Sequence, residues 1–132
     1  MNKPGWVHYF VVVLGVVTME CLSTNQHIIF QPQSRLDEAG GKVLMQQLIS
    51  LIQEHHRLWI IDMSDVSFID SAGLGILVNV LKSARSQDRK LVLCNLSATA
   101  KLILEITQLD RVFEVFDELD TVFSAQSQFK VA

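Results

Sequence analysis

The stretch RLWIIDMSDVSFIDSAGLGILVNVLKSAR, Arg57 to Arg85, changes its hydrophobic period partway along. RLWIIDM is a short apolar run bounded by polar residues, and it reads as a strand buried on both faces. SDVSF reads as the connection after it. Beyond it, Leu74, Leu77, Val78 and Leu81 recur at i, i+3, i+4 and i+7, the apolar stripe of a helix that begins near Ala72. Strand, connection and helix make half of a βαβ unit. One hydroxyl, Ser71, stands at the junction between Asp70 and an Ala-Gly pair.

The same alternation continues on both sides. HIIFQPQ, His27 to Gln33, reads as a strand, with Pro32 near its end because proline cannot donate a ladder hydrogen bond. Leu44, Leu48, Leu51 and Ile52 then mark one helical face, with Asp37 and Glu38 at the positive end of that helix dipole. Gly40 and Gly41 weaken its first turn. Downstream, KLVLCN is a strand and SATAKLILEITQL a helix with Ser97 as N-cap. RVFEVF, Arg111 to Phe116, is a last strand, and DELDTVFSAQ a short helix capped by Asp117. Strands separated by helices imply parallel pairing through crossovers. The expected architecture is one α/β domain with a sheet of four or five strands. No internal repeat is visible, and the tail from Ser127 reads as frayed.

The chain's 132 residues suit one domain, and their 49% apolar content is far from that of a disordered tail. Net charge is −3, and Lys and Arg do not cluster, so no nucleic-acid footprint is expected. Cys21 and Cys94 form no CxxC and read as buried, reduced thiols. His55 and His56 are neighbours that would point apart on a helix, which makes a solvated helix end the reading rather than a chelate.

The apolar run from Trp6 to Val17 is shorter than the roughly 20 residues of a transmembrane helix. Three readings of it stand open: a start-site artefact with translation from Met19, an added strand or interfacial segment, and an export signal. Residues 1–18 are therefore set apart as an extension, and residues 19–126 as the domain, which is expected to fold without them.

In such a sheet, ligands and partners meet the carboxyl ends of the parallel strands, where FIDSAGLG lies. Ser71 has two readings at this point. As a helix N-cap its side chain would satisfy one of the orphan N–H groups. As a phosphate acceptor it would place the added charge at the favourable end of the helix dipole, with Gly73 and Gly75 leaving room for a partner backbone. Asp70 would repel that phosphate if the two groups faced each other. Enzyme readings fare worse. The run is not a GxSxG elbow, no histidine lies in a segment expected beside Ser71, and the GxxxxGK[ST] phosphate loop is missing. Asp62, Asp65 and Asp70 could converge on Mg²⁺ as in a phospho-receiver domain. That family also wants a lysine at the end of a late strand, and LVLCN and VFEVFD offer none. No metal site, cofactor or catalytic residue is assigned.

The segment LWIIDMSDVSFIDSAGLGILVNVLKSAR, the upstream RLDEAGGKVLMQQL and the downstream LVLCNLSATAKLILEITQLDRVFEVFD together resemble the STAS domains, and specifically the bacterial anti-sigma factor antagonists. The resemblance covers about residues 20 to 125 and implies a mixed sheet with helices mainly on one side. It also implies a partner switch. The unphosphorylated antagonist binds an anti-sigma factor that is itself a serine kinase. The kinase then phosphorylates the serine directly after the aspartate, and a phosphatase reverses this. Carried onto this chain, the acceptor is Ser71, and the partner-binding set is Asp37, Asp70, Ser71, Gly73 and Leu74. The implied protein is non-enzymatic and cytoplasmic, with no membrane contact. Ala72 stands where many members have a second serine, and Ser34-Arg35 where a glycine often precedes the Leu-Asp step. STAS domains also serve as scaffolds in signalling assemblies and as subunits of lipid-transport complexes, which is the alternative reading.

Overall fold

The computed structural model describes residues 7–13, 17–23, 27–51, 54 and 56–129. The central strand is β5, Leu58–Asp62, whose five residues LWIID are all buried. It pairs in parallel with β3, His27–Pro32, on one side and with β7, Lys90–Cys94, on the other. The continuous apolar run follows from that position, since a strand between two parallel neighbours has both faces covered. Outward from β7 lies the three-residue β8, Glu114–Phe116, also parallel. Outward from β3 come β2, Val17–Ser23, and then β1, Val7–Val13, both antiparallel. The sheet therefore runs β1-β2-β3-β5-β7-β8. It has six strands rather than the expected four or five, because both arms of the N-terminal hairpin join it.

Side chains alternate between two cores, as the period of a strand requires. Ile28, Phe30, Trp59, Ile61, Leu91 and Leu93 point to one face. There they meet α1 (Glu38–Leu51), α2 (Ser71–Ser86) and α3 (Ala98–Ile106) through Leu44, Leu48, Leu77, Leu81 and Leu104. Ile29, Leu58, Ile60, Val92 and Cys94 point to the other face, where α4 (Leu119–Phe129) covers them with Val122. Three of the four α-helices among the described residues thus share one side.

SDVSF is not simply a connection. Ser64 and Asp65 form a turn, and Val66–Ile69 is a strand, β6. It pairs in parallel with the three residues of β4, Ser34–Leu36, in a small second sheet. Four other expectations shift. A single 3-10 turn occupies Leu109–Arg111, so the last strand starts only at Glu114. Asp117 lies outside the start of α4 and instead accepts a 3.4 Å bond from Lys101, while Glu118 supplies the carbonyl that receives Val122 N–H. That helix continues to Phe129, past the expected fraying point. His56 is buried rather than solvated, with Glu54 4.0 Å from its Nε2. Ile52 and His55 lie outside the described residues, as does the side chain of Cys21.

Candidate functional site

Strands β4 and β6 end side by side, with Arg35 opposite Phe68 and Leu36 opposite Ile69. An aspartate follows each, and each aspartate opens a helix. Asp37 Oδ1 accepts from Gly40 N–H at 3.0 Å, and Asp70 Oδ1 accepts from Gly73 N–H at 2.9 Å. Both are N-cap bonds to the third helical residue. A further bond, Asp70 N–H to the Leu36 carbonyl at 3.3 Å, ties the two starts together.

The two starts are built from one pattern. Leu36-Asp37-Glu38-Ala39-Gly40 and Ile69-Asp70-Ser71-Ala72-Gly73 agree at every position except the first helical residue and a Leu-for-Ile exchange. The glycines match for a steric reason. A β-carbon on Gly40 would lie 2.5 Å from the Arg35 carbonyl oxygen, and one on Gly73 would collide with the Leu36 carbonyl. In each copy the first helical turn presses on the end of β4. Gly41 adds a close approach of α1 to Ile76 of α2, where a β-carbon would lie 2.5 Å from Cγ1. The glycines of α1 therefore serve packing rather than simply weakening its first turn. This short repeat escapes a search for long internal repeats, but it is visible once the two Asp-x-Ala-Gly runs are set side by side.

The geometry corrects two readings of the opening motif. Asp70, not Ser71, is the N-cap of α2, with φ −102° and ψ −175°. Ser71 is the first helical residue; it is exposed, and its hydroxyl has no hydrogen-bond partner among the described residues. Gly73 is buried against β4, so it is unavailable to a partner backbone, whereas Gly75 is exposed with nothing within 4 Å of a β-carbon placed on it. Leu74 is half-buried against the main core, and its N–H makes the first helical bond, to the Asp70 carbonyl at 2.9 Å. Of the five proposed partner-facing residues, Ser71 is thus the exposed one. Asp37 and Asp70 are engaged as caps.

Arg35 and Phe68 complete this end of the molecule. Phe68 is 42% exposed, and the Arg35 guanidinium carbon stands 4.9 Å from its ring centroid. Arg35 Nε lies 3.7 Å from Asp37 Oδ2. In the sequence, Arg35 stands out only as a departure from a glycine turn. An exposed cation and an exposed aromatic at paired register positions become legible only once β4 and β6 are recognised as strands.

The acidic residues considered for Mg²⁺ do not converge. Asp62 accepts at Oδ1 from Ser64 N–H and from Asn95 Nδ2, both at 3.0 Å. Asp65 accepts from Gln31 Nε2 at 3.2 Å, and Asp70 caps α2. Among the described residues, no group of three His, Cys, Asp or Glu side chains is placed to hold a metal ion. Cys94 beside Asp62 is a free, buried thiol, pushed up to about 12 by its burial first and by the Asp62 charge second. It is inert at neutral pH. No helix among the described residues is long and apolar enough to cross a membrane.

Comparison with known proteins agrees with this architecture. The STAS domain family model matches residues 18–122. The TM1081 homologue of Thermotoga neapolitana is 37% identical over 93 residues, covering 70% of this chain and 82% of that protein. The anti-sigma-B factor antagonist of Bacillus subtilis is 32% identical over 80 residues, covering 61% of this chain and 72% of that protein. Among solved structures, the unphosphorylated form of the anti-sigma factor antagonist SpoIIAA superposes with a TM-score of 0.62 at 14% identity, over 92% of this chain and 98% of that one.

Proposed function

Since this chain belongs to the STAS domain family, and within it to the anti-sigma factor antagonists, we propose that it works as a partner switch whose state is written on Ser71. Unphosphorylated, it binds an anti-sigma factor that is also a serine kinase and so frees the sigma factor. Phosphorylated at Ser71, it lets that partner go, and a phosphatase restores it. A partner that spends ATP makes the cytoplasm the proposed location.

The observation that carries the reading is the state of the Ser71 hydroxyl. It is exposed at the first position of α2, and the capping role that would explain it structurally belongs to Asp70. The fold also accepts negative charge at this kind of position, because the matching residue of α1 is Glu38. A phosphate would add roughly −1.5 to −2 charges where the helix dipole favours them. A partner surface shaped to a small hydroxyl beside the open Gly75 would meet bulk and charge together. Leaving one buried charge unpaired costs about 3–5 kcal/mol, and each 1.4 kcal/mol is about tenfold in affinity.

The test is mass spectrometry after incubation with the cognate kinase and ATP, with a kinase-free control. One phosphate on Ser71 with kinase, and none without it, is expected, because the chain carries no recognisable nucleophile–base pair or phosphate loop of its own. Ser71→Ala should bind the kinase and accept no phosphate, and Ser71→Asp should fold and bind poorly. Phosphate on another residue, or none at all, ends the reading; labelling without kinase would point to an enzyme instead.

A further inference from the structure

The twin helix starts differ in how they can neutralise charge at their first residue. In α1 that residue is Glu38, and Lys42, one turn on, stands 3.5 Å from its carboxylate. In α2 it is Ser71, and the residue one turn on is Gly75, which has no side chain to offer. A phosphate on Ser71 would also stand next to the Asp70 cap, with the Asp37 cap on the neighbouring start. Its counter-charge has to come from outside α2.

Arg35 is the cation that the strand pairing brings to this end. It lies opposite Phe68, three residues before Ser71, and among the described residues it is the only cation ion-paired with either cap aspartate. Paired strands are about 4.8 Å apart. Three residues span at most about 10 Å, and fewer here because the chain turns into the helix at Asp70. Arginine's long side chain covers much of that separation, and its planar fork suits phosphate oxygens. Little holds it where it is. The 3.7 Å to Asp37 Oδ2 exceeds hydrogen-bond length, and the side chain is 60% exposed. Among the described residues, the remaining side-chain tie is its stack on Phe68.

We propose that Arg35 is the intramolecular counter-ion of phosphorylated Ser71, turning from Asp37 to the phosphate when the serine is modified. This rests on the phosphoserine reading above and names how the same site signals. The modification then changes the partner-facing surface twice: it adds charge at Ser71, and it draws the guanidinium off Phe68, uncovering an aromatic ring beside the switch. Arg35 is a positioning residue in this scheme, since it carries out no chemistry.

The experiment uses the full chain with phosphoserine installed at position 71 during translation, titrated by phosphorus NMR. The second phosphate pKa, near 6 in a free phosphoserine, is expected to be lower in the wild-type background than in Arg35→Gln by about half a unit, roughly threefold in proton affinity. Arg35→Lys, which keeps the charge, should recover part of the difference. Superimposable titrations of wild type and Arg35→Gln would overturn the proposal. The Arg35 Nε–Hε resonance gives a second readout that needs no variant: it should move on phosphorylation, and an unmoved resonance also overturns the proposal. Because the phosphate is installed without a kinase, a cognate kinase that ignores Ser71 would count against the switch and not against Arg35.

Discussion

Asp70→Ala and Ser71→Ala should differ clearly in a stability measurement, although the residues are neighbours. Asp70 Oδ1 accepts the Gly73 N–H at 2.9 Å, so truncation leaves that donor at the start of α2 without its side-chain partner. Loss of an N-cap costs about 1 kcal/mol, within a range of about 0.5–2. For a chain between the common size classes, 1 kcal/mol corresponds to roughly 3–5 °C in melting temperature. The Ser71 hydroxyl makes no hydrogen bond among the described residues, and alanine is a better helix former than serine. Ser71→Ala should therefore stay within about 0.5 kcal/mol of wild type, the usual span for exposed positions. The assay is urea unfolding of both variants at one pH, followed by tryptophan fluorescence, to which the buried Trp59 contributes. Asp70→Asn, which keeps a good cap, should recover most of the loss. If Ser71→Ala is as destabilising as Asp70→Ala, the cap has been assigned to the wrong residue, and the structural account of the serine returns.

Gly73→Ala should destabilise by about 1–3 kcal/mol through overpacking on the Leu36 carbonyl, whereas Gly75→Ala, facing open space, should stabilise by about 0.5–1 kcal/mol; equal effects in urea melts would contradict the packing described. Cys94, in a Cys21→Ser background, should resist a thiol reagent at pH 8 unless the protein is unfolded, because the native thiol is raised from 9.0 to about 12. Its neutral form is the one the fold favours, so this contribution is complete below about pH 9 and is lost as pH rises from 9 towards 12. An alkaline unfolding curve unchanged by Cys94→Ala would refute that assignment. A chain starting at Met19 should still unfold cooperatively, since both described cores lie between residues 28 and 123, but at lower temperature, since β1 no longer covers β2. Loss of cooperativity would make the hairpin part of the core.

The interior was legible because it obeys simple rules. LWIID, IIF and LVLC are apolar runs of strand length and are buried throughout, and Leu77 and Leu81, in a stripe of helical period, are buried as that pattern demands. Ser97 accepts from Ala100 N–H at 3.1 Å, as an N-cap read from sequence should. The parts that escaped are short or half-exposed. β4 has three residues and β6 four, with two of the four exposed, so neither shows a period. Val112 and Phe113 look like strand residues, yet they follow a 3-10 turn, and Phe113 is buried outside any strand. His56 was misjudged because neighbouring histidines suggest a wet helix end, while the chain there turns back into β5 and buries one of them.

At the site, sequence located the right junction and misassigned its parts by one residue. Asp and Ser are both strong N-caps, and nothing local chooses between Asp70 and Ser71. The choice is made at a distance, by the collision that only a glycine at position 73 avoids with the Leu36 carbonyl, which fixes where the helix must begin. That has a functional consequence. The Asp70 cap, the buried Gly73 and the bond from Asp70 N–H to Leu36 hold the start of α2 without using the Ser71 side chain. In the twin start the free position is filled by the carboxylate of Glu38, answered by Lys42. In α2 the same position carries a neutral hydroxyl answered by nothing on its own helix. A charge placed there by a kinase would leave the scaffold of the junction intact and alter only what a partner meets, which is the separation of stability from signal that a reversible switch requires.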